Sequence, residues 1–170
     1  MGSDSHCEGF APWVDEEATH LVLGSMPSVA SLAAGQYYAF RQNRFWPLMF
    51  HLLAGTDNVP EDYNERLALL RAHHVALWDA IGTCEREGSL DTAIHDETGN
   101  DFTAFLAQYP RIRTICFNGG KSFAAFKKYN KPLLSRPDLT FHQMPSTSPA
   151  NARWRFPMLV ERWGEVFRGL

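Results

Sequence analysis

An apolar run, Leu21-Val22-Leu23, stops at a glycine and continues as Gly24-Ser25-Met26-Pro27-Ser28. A little further on the chain reads Tyr37-Tyr38-Ala39-Phe40-Arg41-Gln42-Asn43-Arg44-Phe45-Trp46, dense in aromatics, amides and arginines. Taken as one loop, 24–46 exceeds the ~12–15 residues beyond which irregular segments of compact domains are usually functional or disordered. Disordered segments are poor in aromatics, so this one is expected to be ordered and to hold something flat and polar. Phe45-Trp46 can offer a stacking surface, worth ~1–3 kcal/mol per base for a nucleobase. Phe45 is the ring expected to face the ligand; the competing reading makes both rings core residues of the helix that starts there. Asn43 can hold a water or a base edge with its amide, although a loop asparagine more often serves turn chemistry.

Three other segments carry suitable groups. Asp79 closes a short apolar run, where an ionised carboxylate needs partners; it is a candidate for binding N–H groups of a base, or else an N-cap. Pro145-Ser146-Thr147-Ser148-Pro149-Ala150-Asn151-Ala152 sets hydroxyls and main-chain amides between prolines, a pattern that grips phosphate at a helix start or simply caps a turn. Asn118-Gly119-Gly120 follows another apolar run. His142 lies inside a predicted strand and is read as a core histidine. The P-loop, the dinucleotide glycine fingerprint and the nucleophile elbow are missing from the sequence. His73-His74 lack metal-ligand spacing, so neither a metal nor a cofactor is expected.

These groups need elements to position them. Four β-rich runs read as buried strands, at 19–23, 75–79, 112–117 and 139–144. Helices are expected at 45–53, with Pro47 near the start, and at 60–73, 121–129 and 154–167. A further helix should run to Tyr109 from Asp101 as its N-cap. Strands alternating with helices predict an α/β fold, a mostly parallel sheet of about four strands with helices on both faces. Ligands in such folds bind beyond the carboxyl ends of the strands. That rule gathers 24–46, Asp79, Asn118-Gly119-Gly120 and 145–153 into one site.

With 170 residues, one domain is expected over 13–170, preceded by a flexible arm at 1–12. No apolar run approaches the ~20 residues of a membrane span, and the start lacks the features of a secretory signal. Cys7, Cys84 and Cys116 fit free thiols in a reducing, bacterial-type cytoplasm, the expected location. The net charge of −3 hides an asymmetry: residues 1–110 carry 5 Lys/Arg against 16 Asp/Glu, and residues 111–170 carry 11 against 3. A basic third can present a phosphate-attracting face although the whole is acidic; solvated charge with no partner is the plainer alternative.

In order and spacing, Leu-Val-Leu-Gly-Ser-Met-Pro, Ser31-Leu32, Tyr37-Tyr38-Ala39, Asn43-x-Phe45-Trp46, Leu77-Trp78-Asp79, Gly88-Ser89-Leu90-Asp91, Phe117-Asn118-Gly119 and Pro145-Ser-Thr-Ser-Pro-Ala resemble the uracil-DNA glycosylase superfamily. The chain looks most similar to its hypoxanthine (deoxyinosine) DNA glycosylase branch, from about residue 20 to the last helix. The resemblance implies a three-layer α/β/α sandwich and a monofunctional enzyme that flips a deaminated base, hypoxanthine or uracil, out of DNA and hydrolyses its N-glycosidic bond. Under it, 24–27 would be the water-activating motif. Uracil-specific members keep an acid two places after that glycine, where this chain has Met26, and the branch implicates an asparagine that corresponds to Asn43. Ser28 stands where a glycine is usual, and Phe40-Arg41-Gln42 replaces a His-Pro-Arg-like stretch.

The roles that follow are expectations. Asn43 orients water with Ser25 and the main chain at Met26. Phe45, Asp79, Asn118 and Tyr38 bind the base. Ser146, Thr147, Ser148, Asn151, Arg153 and Lys121 contact DNA, with Arg153 or Trp154 near the vacated stack. No lysine lies within these motifs, so Schiff-base chemistry is not expected. The partner is DNA containing deaminated bases, acted on by a monomer. Two rivals stand beside this reading: a weak or inactive relative that binds nucleic acid or modified bases, and a small-molecule hydrolase on the same fold.

Overall fold

The computed structural model describes residues 5–170. Seven strands and six α-helices follow in chain order: β1 (His6–Glu8), β2 (His20–Gly24), α1 (Val29–Ala34), α2 (Phe45–Met49), α3 (Tyr63–Ala72), β3 (Val75–Asp79), β4 (Ile81–Glu85), β5 (His95–Gly99), α4 (Phe102–Gln108), β6 (Thr114–Asn118), α5 (Gly120–Asn130), β7 (Thr140–Met144) and α6 (Phe156–Phe167). The α/β expectation is met by a parallel four-stranded sheet of order β3-β2-β6-β7. Each predicted strand appears within two residues of its expected bounds.

Strand periodicity builds the three layers. Successive side chains point to opposite faces, and here both faces are apolar. Leu21, Leu23, Ala76, Ile115 and Phe117 pack with Phe102 and Phe105 of α4 and Phe126 of α5. Val22, Val75, Leu77 and Cys116 pack with Trp46 and Leu48 of α2, Leu70 of α3 and Leu159, Trp163 and Phe167 of α6. The fourfold spacing in α6 puts those three side chains on one buried stripe. Asp101 caps α4 as expected, accepting from the amides of Thr103 and Ala104 at 3.0 and 3.2 Å.

Three features depart from the sequence-based expectations. A second, antiparallel sheet of order β1-β4-β5 stands beside the first. It begins where β3 turns past Ala80, whose amide donates to Gly24 at 2.8 Å while that of Ile81 donates to Ser25 at 3.1 Å. The segment 24–46 is not continuous loop, because α1 lies inside it, capped by Ser28 and closed by Gly35 at φ 65°. The expected arm at 1–12 is also corrected in part. Cys7 pairs with Cys84 in the β1–β4 ladder, the Gly9 amide donates to Gly82 at 2.8 Å, and the carbonyls of Phe10 and Ala11 accept from Trp78 and Tyr37, so this stretch is hydrogen-bonded to the domain; 1–4 lie outside the described residues. Among the described residues no helix is long and apolar enough to cross a membrane.

Candidate active site

The carboxyl ends of the four parallel strands, Gly24, Asp79, Asn118 and Met144, border one cavity of about 400 Å³. The chain runs from β2 outward to β3 and then returns to β6 on the other side of β2. That reversal between β2 and β6 is the switch point at which the strand-end rule places ligands. Lining residues come from each of the four segments named from sequence, and also from Ser89, Leu90, Asp91 and Thr92, which follow β4.

One wall is a closed polar network. Asn118 Oδ1 accepts from the Thr147 amide at 2.9 Å, which fixes the amide orientation, and its Nδ2 donates to Thr147 Oγ1 at 3.0 Å and Tyr38 Oη at 3.3 Å. Thr147 Oγ1 in turn donates to Asn43 Oδ1 at 2.8 Å. The same Asn43 oxygen accepts from the Phe45 amide at 2.9 Å. Because a main-chain N–H can only donate, the Asn43 carbonyl oxygen points inward and its NH2 is the part left for the cavity. Arg44 locks the network from behind. Its guanidinium donates to the carbonyls of Thr147 at 3.2 Å, Ser148 at 2.7 Å, Asn151 at 3.2 Å and Trp154. Short turns complete the loop: the Ser148 amide donates to Ser146 Oγ at 3.1 Å, and Asn151 Nδ2 donates to the Ser146 carbonyl at 3.1 Å.

The facing wall is acidic and under-partnered. Asp79 is 4% exposed, and its Oδ2 has no hydrogen-bond partner. Burial, reinforced by Asp91 and opposed by Arg86, pushes the Asp79 carboxyl up to about 7. Asp91 lies on the β4–β5 connection and accepts from Ser25 Oγ at 2.6 Å. Arg86 is 2% exposed; it donates to the Pro27 carbonyl at 2.5 Å and leaves Nε and Nη1 without partners. Gly24 is required by this packing, since a Cβ there would lie 2.5 Å from Asp79 Oδ1. Tyr38 forms a third side. It holds φ 55°, a conformation that bulky residues rarely adopt, and burial together with Asp79 raises its hydroxyl above the ordinary tyrosine range. Backbone strain of this kind concentrates at functional sites.

Most of the residues named from sequence meet here: Ser25, Met26, Tyr38, Asn43, Asp79, Asn118, Ser146, Thr147, Ser148 and Asn151 line the cavity. Two assignments change, and three further residues lie outside the lining. Phe45 is fully buried and does not line the cavity; Tyr38 stacks over it at 4.0 Å between centroids, so Tyr38 is the aromatic face that a ligand meets. Thr147 is fully buried and its hydroxyl is consumed between Asn118 and Asn43, which leaves nothing for a phosphate. Lys121 is paired with Glu97 at 2.6 Å, away from the cavity lining. Arg153 is exposed outside that lining, and Trp154 packs against the apolar core under α6, so neither borders the cavity.

Arg44 and Asp91 carry more of the site than the sequence suggested. Arg44 had only its place beside Asn43 as a signal. Asp91 stood in a recognisable Gly-Ser-Leu-Asp string, but the hairpin that brings it to Ser25 had no pattern of its own. Among the described residues no group of three or more His, Cys, Asp or Glu side chains could hold a metal ion.

Comparison with known proteins agrees with this geometry. The family model of the uracil DNA glycosylase superfamily matches residues 11–167. A Methanosarcina acetivorans protein named hypoxanthine DNA glycosylase is 38% identical over 160 residues, covering 94% of this chain and 97% of its own. A Methanosarcina barkeri protein of the same name is 34% identical over 161 residues, covering 95% and 98%. The solution structure of a candidate uracil DNA glycosylase from Methanosarcina acetivorans superposes with a TM-score of 0.80 at 37% identity, covering 96% of this chain and 97% of that one. With its parallel sheet, its strand-end cavity and a family match over nearly the whole length, this chain belongs to the uracil DNA glycosylase superfamily.

Proposed function

We propose that the chain is a monofunctional DNA glycosylase that takes a deaminated base, hypoxanthine ahead of uracil, into the strand-end cavity and hydrolyses its N-glycosidic bond. The observation that carries this reading is the pairing of an unpartnered, buried Asp79 carboxyl with the Tyr38 ring in one cavity. An uncharged carboxyl accepts from one neighbouring group and donates to the next. That matches the N–H beside C=O on the edge of hypoxanthine or uracil, while the ring of Tyr38 covers the face. The names of the two Methanosarcina relatives support hypoxanthine as the first choice.

In the reaction the C1′–N bond breaks, its electron pair leaves on the base, and water adds to C1′. Asn43 is an amide and takes no proton near neutral pH, so its outward NH2 serves to hold the water or the departing base. Asp91 is the cavity carboxylate available to receive the proton that water gives up. The ring carbonyls of the base spread its negative charge, and donors aimed at it stabilise the transition state. Ser146 and Ser148 offer the flanking phosphates their hydroxyls. The lining contains no lysine, which supports simple hydrolysis over Schiff-base chemistry. One chain contains all of these groups, in keeping with a cytoplasmic monomer.

The test is a single-turnover panel of oligonucleotides carrying hypoxanthine, uracil or xanthine, in single and double strands, assayed with the wild type and Asn43→Ala. Release of hypoxanthine by the wild type, slowed in the variant, is the expected result. No base released from any strand at high enzyme excess overturns the reading, and unchanged rates in Asn43→Ala remove that residue from the mechanism.

A further inference from the structure

Two of the three free cysteines stand directly opposite each other. Cys7 on the edge strand β1 and Cys84 on β4 are partners in the antiparallel ladder, between the pairs His6–Glu85 and Glu8–Thr83. On one side of them the Gly9 amide donates to Gly82 at 2.8 Å, and on the other the Arg86 amide donates to Ser5 at 2.8 Å. Hydrogen-bonded and non-hydrogen-bonded positions alternate along such a ladder, so Cys7 and Cys84 share a hydrogen-bonded position. Opposed Cα atoms there are ~5.5 Å apart, and both side chains leave the sheet on the same face. A disulfide needs Cα atoms ~4.4–6.8 Å apart, so the register already meets the backbone requirement. Cys116 packs in the other apolar cluster, on β6.

The two opposed thiols differ in access. Cys84 is 1% exposed, and burial, reinforced by the Cys7 thiol beside it and opposed by Arg86, pushes it up to about 11. Cys7 is only half-buried. It borders a surface cavity of about 680 Å³ together with Ser5, His6, Arg86 and Glu87, room enough for a small organic molecule. A reagent from solvent therefore meets Cys7 first. Once it is attached there, Cys84 is the nearest thiol to the modified sulfur. An accessible thiol with a second one poised beside it is the arrangement that closes a reversible disulfide.

We propose that Cys7 is a site of exchange with small organic disulfides, and that Cys84 resolves the product into a reversible Cys7–Cys84 bond. The Cys7 thiolate attacks one sulfur of the small disulfide, forms a mixed disulfide and expels a small thiolate. Cys84 then loses its proton to water, attacks the Cys7 sulfur and expels the second thiolate. Both leaving thiolates take up protons. Two thiols of the chain are thereby oxidised, and the small disulfide is reduced to two small thiols. The new bond fastens β1 to β4, the strand after which Arg86 holds the Pro27 carbonyl at the lining of the strand-end cavity. It also ties residue 7 to residue 84 across a long loop, where a cross-link restricts the unfolded chain most. The site is separate from the base cavity and stands whether or not the chain excises bases.

The experiment incubates the folded chain with glutathione disulfide, quenches with acid and maps unreduced peptides by mass spectrometry, for wild type, Cys7→Ser, Cys84→Ala and Cys116→Ala. The wild type should yield a monomer lighter by two hydrogen atoms, with the Cys7 and Cys84 peptides joined, and dithiothreitol should reverse the change. Cys116→Ala should behave as the wild type does. Cys84→Ala should stop with glutathione on Cys7, and Cys7→Ser should react roughly tenfold more slowly or less, because its remaining thiols are buried. The closed protein should melt roughly 5–15 °C above the reduced one. A mixed disulfide that persists on Cys7 in the wild type, a link between two chains, a link through Cys116 or no reaction of the folded chain overturns the assignment. A melting temperature that is unchanged or lowered by closure overturns it as well. Neither readout involves base release, so failure here leaves the glycosylase reading intact.

Discussion

The two walls of the cavity differ in how much of their hydrogen bonding the protein itself consumes. On the Asn118–Thr147–Asn43 side nearly every polar atom has a protein partner, and Arg44 satisfies four carbonyls behind it. On the Asp79–Asp91 side a buried oxygen of Asp79 has none, and Asp91 adds to the cost of ionising Asp79. A satisfied network rigidifies and fixes geometry, whereas an unsatisfied buried group costs free energy until something else completes it. The first wall is therefore scaffold and the second is where ligand groups are required. Within the Asn118–Thr147–Asn43 network itself, the Asn43 NH2 is the group left to act on a substrate.

The contrast breaks most sharply at Asp91. Asp91→Asn should lower single-turnover excision by ~10²–10⁴-fold, the usual worth of a general base. Ser25→Ala removes only the neutral partner of that carboxylate and should cost less than about tenfold. Equal losses in the two variants would make Asp91 a positioning residue, held and acting through Ser25.

Asp79 gives a smaller effect, read in stability. Its folded pKa of about 7 lies above the ordinary value of 3.8. Between those two values the unfolded chain releases the proton and the folded chain keeps it. The wild type therefore loses stability as pH rises from about 4 to about 7, by an amount on the order of a few kcal/mol, and is level above that. Asp79→Asn carries no such term. Thermal melts should show it gaining on the wild type between pH 4 and pH 8, and parallel melting curves for the two across that range would refute the raised carboxyl.

On the scaffold side Arg44→Ala should destabilise the fold by about 1–3 kcal/mol, because carbonyls left unpaired are costly. Urea unfolding measures it. The loop after β7 should also become the faster-exchanging part of the cavity in amide hydrogen exchange. A loss of excision with no change in stability or exchange would move Arg44 from scaffold to substrate contact.

How much of this was legible follows from what each residue depends on. Asp79 and Asn118 end β-rich runs, and a strand end is readable from periodicity alone. Ser146 and Ser148 were legible because prolines bracket them. Phe45 was misplaced because a helix start exposes one side or the other according to its packing, and the left-handed backbone at Tyr38 lays a second ring over it. Thr147 reads like its neighbours, yet the Asn118 amide claims both its N–H and its hydroxyl. The hairpin bearing Asp91 and Leu90 was hidden for a different reason. β5 reads His-Asp-Glu-Thr-Gly, a polar edge strand without alternation, and only its pairing with β4 makes it a strand.

By itself the sequence determined the parallel sheet, its two apolar faces, the end of the sheet that holds the site, and the family. These depend on local pattern: alternation along strands, caps and prolines, and short strings whose order survives in relatives. The tertiary structure decided which polar groups are spent and which remain free. That is a question of partners distant in sequence, such as Arg44 with Trp154 or Ser25 with Asp91, and burial sets its energetic weight. A ligand is needed where a buried polar atom lacks a protein partner, as at Asp79, so only the folded chain could show where that is.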